Sequence, residues 1–285
     1  MKNSYKEFSQ IYDLLMDIDY EKWTSFIMKK LKGKRKILEA ACGTGGITKL
    51  LADNNYKVTA FDLSEDMLMR AYEKLAQSPM VRLLNQNMVD FEIDEKFEAA
   101  ICCCDGINYL IKEEVKSFFQ RIYHHLNEGS KFIFDMSTKY KYDKMFCDTY
   151  VYDDGDIFYV WENELVNDET INIEINFFVK NIDKYTRISE EQTQYVHTVD
   201  EIIDLLEDAG FGNIEINFFI KDTDKYTRIT EEQTQYIHTV DEIIDLLEDA
   251  GFENIEIFDD YNEKEYSDTS LRAVFSACKF DNERT

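Results

Sequence analysis

The sequence predicts an α/β fold: a doubly wound, mainly parallel sheet with a reversed last strand, plus a small inserted antiparallel sheet. Three observations predict it. Short, continuously apolar runs alternate with helical patterns up to about residue 137, as expected of parallel strands covered on both faces. From about Phe158 the pattern changes to two-residue alternation, the mark of antiparallel strands with an exposed face. Near the C-terminus, Asn254 to Phe258 and Leu271 to Lys279 read as a closing pair of strands.

The first 30 residues carry Phe8, Ile11, Tyr12, Leu15, Trp23, Phe26 and Ile27 at helical spacing. Lys36 to Ala41 is a buried strand that ends in Cys42-Gly43-Thr44-Gly45-Gly46, and a helix begins near Ile47. Val58 to Asp62 is the second strand, followed by a helix around Met67 to Leu75 for which Ser64 is a good N-cap. Val81 to Leu84 and Glu98 to Cys104 are the third and fourth strands. The helix from Glu113 to Leu126 leads through Gly129 to the fifth strand, Lys131 to Asp135. Residues 158–166 and 171–180 form the inserted sheet. This rhythm is Rossmann-like. The expected organisation is a cofactor-binding core over 1–137, an inserted lid over 138–238, and a last helix with strands completing the core over 239–285.

A tandem repeat complicates the second half. Residues 173–213 and 214–254 are two copies of one 41-residue unit that differ at six positions, among them Val179/Ile220, Asn181/Asp222 and Gly212/Glu253. Each reads as strand, turn, strand and helix, with Asp200 and Asp241 favouring the helix start and Gly210 and Gly251 its left-handed stop. Two copies are too few for a solenoid. Copy two runs directly into Ile255 to Phe258, so it is expected to supply the closing helix, leaving the copy-one helix (Val199 to Ala209) as extra structure.

Charge narrows the partners. The chain has 58 acidic and 32 basic residues, a formal charge of −26. Such a surface repels phosphate backbones and anionic lipid; it reads first as a solubility device, and otherwise as an attraction for a cationic substrate such as an amine. The expectation is therefore no nucleic-acid and no membrane partner. No run approaches the roughly 20 apolar residues of a membrane span, and Met1 to Tyr20 mixes charges in a way that does not suit a signal peptide. The six cysteines show no CxxC and no zinc-like spacing, so no metal is expected and the compartment reads as reducing and cytoplasmic. The assembly is read as a monomer or homodimer.

The informative junction is Glu39-Ala-Ala-Cys-Gly43-Thr-Gly45-Gly46, between strand and helix. Glycines let the backbone approach a ligand, and the helix start offers N–H groups. Ala41-x-Gly43-x-x-Gly46 alone is a degraded dinucleotide fingerprint, so a nicotinamide cofactor and S-adenosylmethionine both remain open. Glu39 tilts the choice, because a carboxylate suits a cationic amino-acid end rather than a pyrophosphate. Asp62, 19 residues after Gly43, can accept ribose hydroxyls in either case. The reversed last strand favours a methyltransferase over a dehydrogenase. A third possibility is a binding or regulatory protein that keeps the pocket without turnover.

At these residues the sequence resembles the class I S-adenosylmethionine-dependent methyltransferases. Glu39 to Gly45 is similar to their motif I, and Ala-Phe-Asp62-Leu-Ser-Glu-Asp-Met67-Leu to the acidic-loop motif that follows. Tyr12-Asp-Leu-Leu-Met16, Tyr20-Glu-Lys-Trp23 and Cys103-Cys-Asp105-Gly-Ile-Asn108-Tyr109-Leu are similar to a small-molecule subgroup close to sugar N,N-dimethyltransferases. The resemblance implies that Gly43 and Gly45 line the methionine moiety, with Ala41 at the first-glycine position and Glu39 beside them. It implies that Asp62 holds the ribose and that Asn87-Met88 flanks adenine, with Leu63, Met67 and Cys104 completing the cofactor-binding set. Asn87 stands where the family usually has Asp, and offers one acceptor oxygen instead of two. Tyr12 and Tyr20 would close over cofactor and substrate. Each repeat also resembles the family's lid pattern, from Tyr185-Thr-Arg187 through Glu190-Glu191-Gln192 and again from Tyr226. Relatives often carry His where this chain has Gln192 and Gln233, and Tyr where it has His197 and His238. For a small-molecule substrate, the catalytic candidates are Tyr12, Asp105, Asn108 and Tyr109, beyond the carboxyl end of the fourth strand.

Overall fold

The structure, a computed structural model, describes Ser9, residues 12–15, 19–137, Tyr142, 149–153, 155–167, 169–181, 184–211, Ile214, 218–219, 258–259 and 272–278. Helices α1 (Tyr12–Leu15) and α2 (Tyr20–Lys30) precede the alternating series. That series is β1 (Lys36–Ala40), α3 (Gly46–Asp53), β2 (Lys57–Asp62), α4 (Glu65–Leu75), β3 (Val81–Asn85), β4 (Phe97–Cys102), a 3-10 turn (Gly106–Tyr109), α5 (Lys112–His125) and β5 (Leu126–Ser137). The inserted strands are β6 (Tyr150–Asp153), β7 (Ile157–Asn167), β8 (Thr170–Asn181) and β9 (Lys184–Tyr195). Then come α6 (Val199–Asp208), β10 (Phe218–Phe219), β11 (Phe258–Asp259) and β12 (Arg272–Cys278).

The main sheet runs β10-β12-β5-β4-β1-β2-β3, with β11 also paired to β12. Its five central strands are parallel, and β12 is reversed against β5 from Arg272↔Ser137 to Cys278↔Lys131. The expected reversed last strand is present. Side-chain alternation sorts the sheet into two cores. Leu38, Ala40, Ala100, Cys102, Phe132 and Phe134 face α5 and α6, while Ile37, Val58, Ala60, Ala99, Ile101 and Ile133 face α2 and α3. Both faces are buried, which is why these strands read as unbroken apolar runs. Among the described residues no helix is long and apolar enough to cross a membrane.

The antiparallel insert is a four-stranded meander, β6-β7-β8-β9. One face, carrying Tyr159, Ile175 and Phe177, packs on Tyr12 of α1 and Met67 of α4. The insert thus lies over the strand ends of the core.

Two expectations need correction. The fourth strand stops at Cys102, not Cys104, because Cys104 and Asp105 take left-handed backbone angles (φ 62° and 58°) that a strand cannot contain. The copy-one helix is also not extra structure. As α6 it buries Ile202, Ile203 and Leu206 fully against the α5 side of the sheet, each worth about 1.5–3 kcal/mol. Its N-cap is Thr198, whose hydroxyl accepts the Glu201 amide at 3.3 Å, and Asp200 falls in its first turn. Gly210 does end it in left-handed geometry. The copy-two counterparts, Tyr226, Gln233, His238, Asp241 and Gly251, lie outside the described residues.

Candidate active site

Strand order reverses direction between β1 and β4, so the chains leaving their carboxyl ends diverge and open a crevice. The loop after β1 enters it. Cys42 N–H donates to the Phe61 carbonyl (3.0 Å), and Gly45 N–H closes a tight turn on the Cys42 carbonyl (2.9 Å). Ala41, Gly43 and Gly45 all have positive φ (52°, 53° and 77°). At Gly43 a Cβ would meet open space, so that backbone is bare for a ligand. At Gly45 it would lie 2.9 Å from Leu75 Cδ1 and 3.2 Å from Ala71 Cβ, so Gly45 serves close packing of α3 on α4. Sequence grouped these glycines as one lining. The structure separates a Gly43 that borders open space from a packing Gly45.

Glu39, next to last in β1, is almost wholly buried, and its Oε2 has no hydrogen-bond partner. Burial pushes its carboxyl up to about 8; the Thr48 hydroxyl offsets part of this and the Asp62 charge adds to it. Asp62 ends β2. Its Oδ2 accepts the Gly43 amide at 2.8 Å and its Oδ1 the Ser64 amide at 2.8 Å. Burial raises its pKa against these backbone donors. The Leu63 amide is a third backbone donor to it, and the carboxylate keeps residual acceptor capacity.

Beyond β2, Leu63 is exposed and Met67 is buried on α4, with the Met67 amide held by Ser64 Oγ at 3.2 Å. Asn87 spends an Oδ1 lone pair on the Val89 amide (3.1 Å), forming a local turn, and Met88 packs on the core edge. Asn85 was not singled out from sequence. Its Nδ2 donates to the carbonyls of Asp62 (3.1 Å) and Leu63 (2.9 Å), fixing the end of β2 to β3. A polar residue closing a strand was its only signal.

The N-terminal segment folds over the loop. Thr44 Oγ1 donates to Asp13 Oδ1 at 2.6 Å, and Asp13 also pairs with Lys74 of α4 at 2.6 Å. Tyr12 is buried between α4 and the insert, while the Tyr20 ring lies against Gly46 at the start of α3. Asp13 was missed, although it directly follows Tyr12.

On the β4 side, Cys104 is half-buried and Asp105 is buried. The Asp105 amide donates to Asp135 Oδ1 at 2.8 Å, and Asn108 Oδ1 accepts the Ser137 amide at 2.9 Å. Asn108 is fully buried and braces the turn against β5. Asp135 closes an apolar strand run, the same signal that drew attention to Asp62. Tyr109 is the half-buried member of the group, and its hydroxyl donates to Gln192 Oε1 of β9 at 3.3 Å.

Gln192 is one of three buried polar residues on one face of β9, with Glu190 and Gln194. Burial pushes the Glu190 carboxyl up to about 8, Gln192 offsets part of this, and the Asp66 charge adds to it. His197, two residues beyond β9, is buried with Nε2 against the Leu110 carbonyl, a pin between insert and core.

The crevice fits S-adenosylmethionine. A bare loop backbone at Gly43, a buried carboxyl oxygen without a partner at Glu39, and residual acceptor capacity at Asp62 match a cationic amino-acid end and a ribose. Comparisons with known proteins agree. Residues 37–129 match the methyltransferase domain family. Over 212 residues the chain is 36% identical to the Bacillus subtilis (strain 168) protein named "Putative methyltransferase YqeM", covering 73% of this chain and 86% of that protein. The structure of an S-adenosylmethionine-dependent methyltransferase from Clostridium acetobutylicum ATCC 824 superposes with a TM-score of 0.74 at 27% identity, over 97% of this chain and 99% of that one. The sugar N-methyltransferase KedS8 from Streptoalloteichus sp ATCC 53650 shares the fold at 15% identity, with a TM-score of 0.64 over 97% and 93% of the two chains. The chain belongs to the methyltransferase domain family and is an S-adenosylmethionine-dependent methyltransferase.

Proposed function

We propose that this enzyme methylates an amine or hydroxyl of a small molecule. The observation that carries the reading is the inner face of β9: Glu190, Gln192 and Gln194 are all buried above the crevice, a polar wall under a closed roof. A macromolecular substrate needs an open surface, whereas a small polar acceptor fits such a wall.

In this reading Glu39, Ala41, Gly43 and Gly45 shape the seat of the methionine end. Asp62 takes the ribose, and Leu63, Met67, Asn87, Met88 and Cys104 border the adenine side. Bound S-adenosylmethionine supplies a sulfonium-activated methyl group, which transfers to a nucleophile's lone pair while the carbon–sulfur electrons stay on sulfur. The protein then mainly has to align the acceptor. Tyr12 and Tyr20 close the N-terminal side, and Tyr109 lines the acceptor side. Asp105 and Asn108 act as positioning residues, since their buried contacts hold the turn that presents Tyr109. A cytoplasmic setting fits the free thiols of Cys42, Cys102, Cys103 and Cys104.

Thermal-shift titration with S-adenosylmethionine and NAD tests the cofactor half, and a shift from NAD alone would sink it. Transfer of labelled methyl to a panel of small amines and alcohols tests the acceptor half; transfer to protein or nucleic acid alone would overturn it.

A further inference from the structure

Strand β9 alternates in an unusual way for a sheet edge over a core. Its outward residues Glu191 and Thr193 are exposed, yet the inward set is also polar: Glu190, Gln192 and Gln194. Across the strand pair they face Ile175, Ile173 and Ile171. These isoleucines offer no hydrogen bonds. Glu190 is 5% exposed with no partner for Oε1, and Gln194 is fully buried with no partner for either amide atom. A buried polar group left in this state costs several kcal/mol, and an ionised one costs more. The same face reaches Tyr12 and Met67 through Ile175, and Tyr109 through Gln192. It therefore spans the crevice from the α4 side to the β4 side.

We propose that Glu190 is the acceptor-binding carboxylate, with Oε1 receiving the ammonium of a cationic amine substrate and taking its proton. This rests on the small-molecule reading above and narrows it to N-methylation. An ammonium satisfies the carboxylate that Ile175 cannot, and Gln194 supplies a donor and an acceptor for other polar groups of the substrate. The N–H proton passes to Oε1, the bonding pair stays on nitrogen as the nucleophilic lone pair, and the proton leaves to solvent after the product departs. The raised carboxyl, about 8, suits this exchange. An alkylammonium near 10.4 is within reach of such a base, whereas a hydroxyl close to water's roughly 15.7 is not. Asp66 of α4 also contributes negative charge towards Glu190, and the chain as a whole carries −26, so a cation is favoured on approach.

The test uses two probes of the full-length protein. S-adenosylhomocysteine fills the cofactor seat without charge at sulfur, and sinefungin places an ammonium where the transferable methyl would stand. Titration calorimetry is expected to show sinefungin binding wild type at least tenfold tighter than S-adenosylhomocysteine. Glu190→Gln should abolish that preference while S-adenosylhomocysteine affinity stays within twofold. Glu190→Asp, which keeps the charge, should retain part of it and carries the same comparison if the glutamine variant does not fold. Absence of the preference in wild type, or its survival in Glu190→Gln, overturns the assignment. Labelled-methyl transfer from wild type to alcohols but not to matched amines would also overturn it while leaving the small-molecule reading intact. Transfer only to macromolecules would instead remove that reading.

Discussion

The Asp62 carboxylate accepts the Gly43 amide proton at 2.8 Å, tying the end of β2 to the ligand-facing loop after β1. One side chain thus orders the loop and presents its remaining lone pairs to the crevice. Because burial raises its pKa, ionised Asp62 does not stabilise the fold at neutral pH. Asp62→Asn is therefore expected to keep its melting temperature within a few degrees. Charge-assisted hydrogen bonds are worth about 1.5–3 kcal/mol, so S-adenosylmethionine affinity should fall roughly 10- to 150-fold by calorimetry. A large loss of stability with unchanged affinity would show that Asp62 is structural only.

Glu39 makes stability and cofactor affinity depend on pH in opposite directions. Its folded pKa, about 8, lies above the ordinary value of 4.5, so the folded state holds a proton that the unfolded state releases between those values. Stability is therefore highest below about pH 4.5 on this account, and falls as pH rises through 8, by an amount on the order of 5 kcal/mol. Glu190 contributes in the same window. Glu39→Gln should melt higher than wild type at pH 8 and show a flatter melting curve between pH 5 and 8. The cation of S-adenosylmethionine prefers ionised Glu39, so wild-type affinity should tighten from pH 6 to 8, and the glutamine variant should lose that trend. An unchanged slope would remove Glu39 from the binding site.

Ala41 carries left-handed backbone (φ 52°) at the position where the family resemblance places a first glycine. A Cβ in this conformation costs roughly 1–2 kcal/mol, part of which is returned by its packing near the core edge. Ala41→Gly is expected to stabilise the protein by about 0.5–1 kcal/mol in urea unfolding, with cofactor affinity within threefold. Destabilisation would mean that the methyl group's packing against the Gly106 turn outweighs the strain.

The core was legible because its signals are local. Apolar runs such as Ile37–Ala40 and the carboxylates that end them follow from burial on two faces and from the crevice beyond. That Ala71 and Leu75 approach Gly45 from another helix is not legible in the sequence. Nor is it legible that the Asn108 oxygen takes the Ser137 amide, which depends on the β5 register. The duplication posed a different difficulty. The two copies have the same local propensity, so packing of the copy-one helix on the α5 side is a tertiary property that no local signal announces.

Tyr109 tests whether the insert works as a hinged roof. Its hydroxyl reaches Gln192 at 3.3 Å, and His197 Nε2 meets the carbonyl of the next residue, Leu110, so β9 and the segment after it are pinned to one short turn at two points. The first pin is a long, neutral hydrogen bond worth about 0.5–1.5 kcal/mol. Tyr109→Phe removes it while keeping the ring. Hydrogen exchange of the β9 amides should then accelerate by up to about tenfold, with exchange in β1 and β4 unchanged. Cofactor affinity should hold, since Tyr109 lies on the acceptor side, and the acceptor KM should rise severalfold. Unaltered β9 exchange would show that the Tyr109 hydrogen bond does not hold the roof.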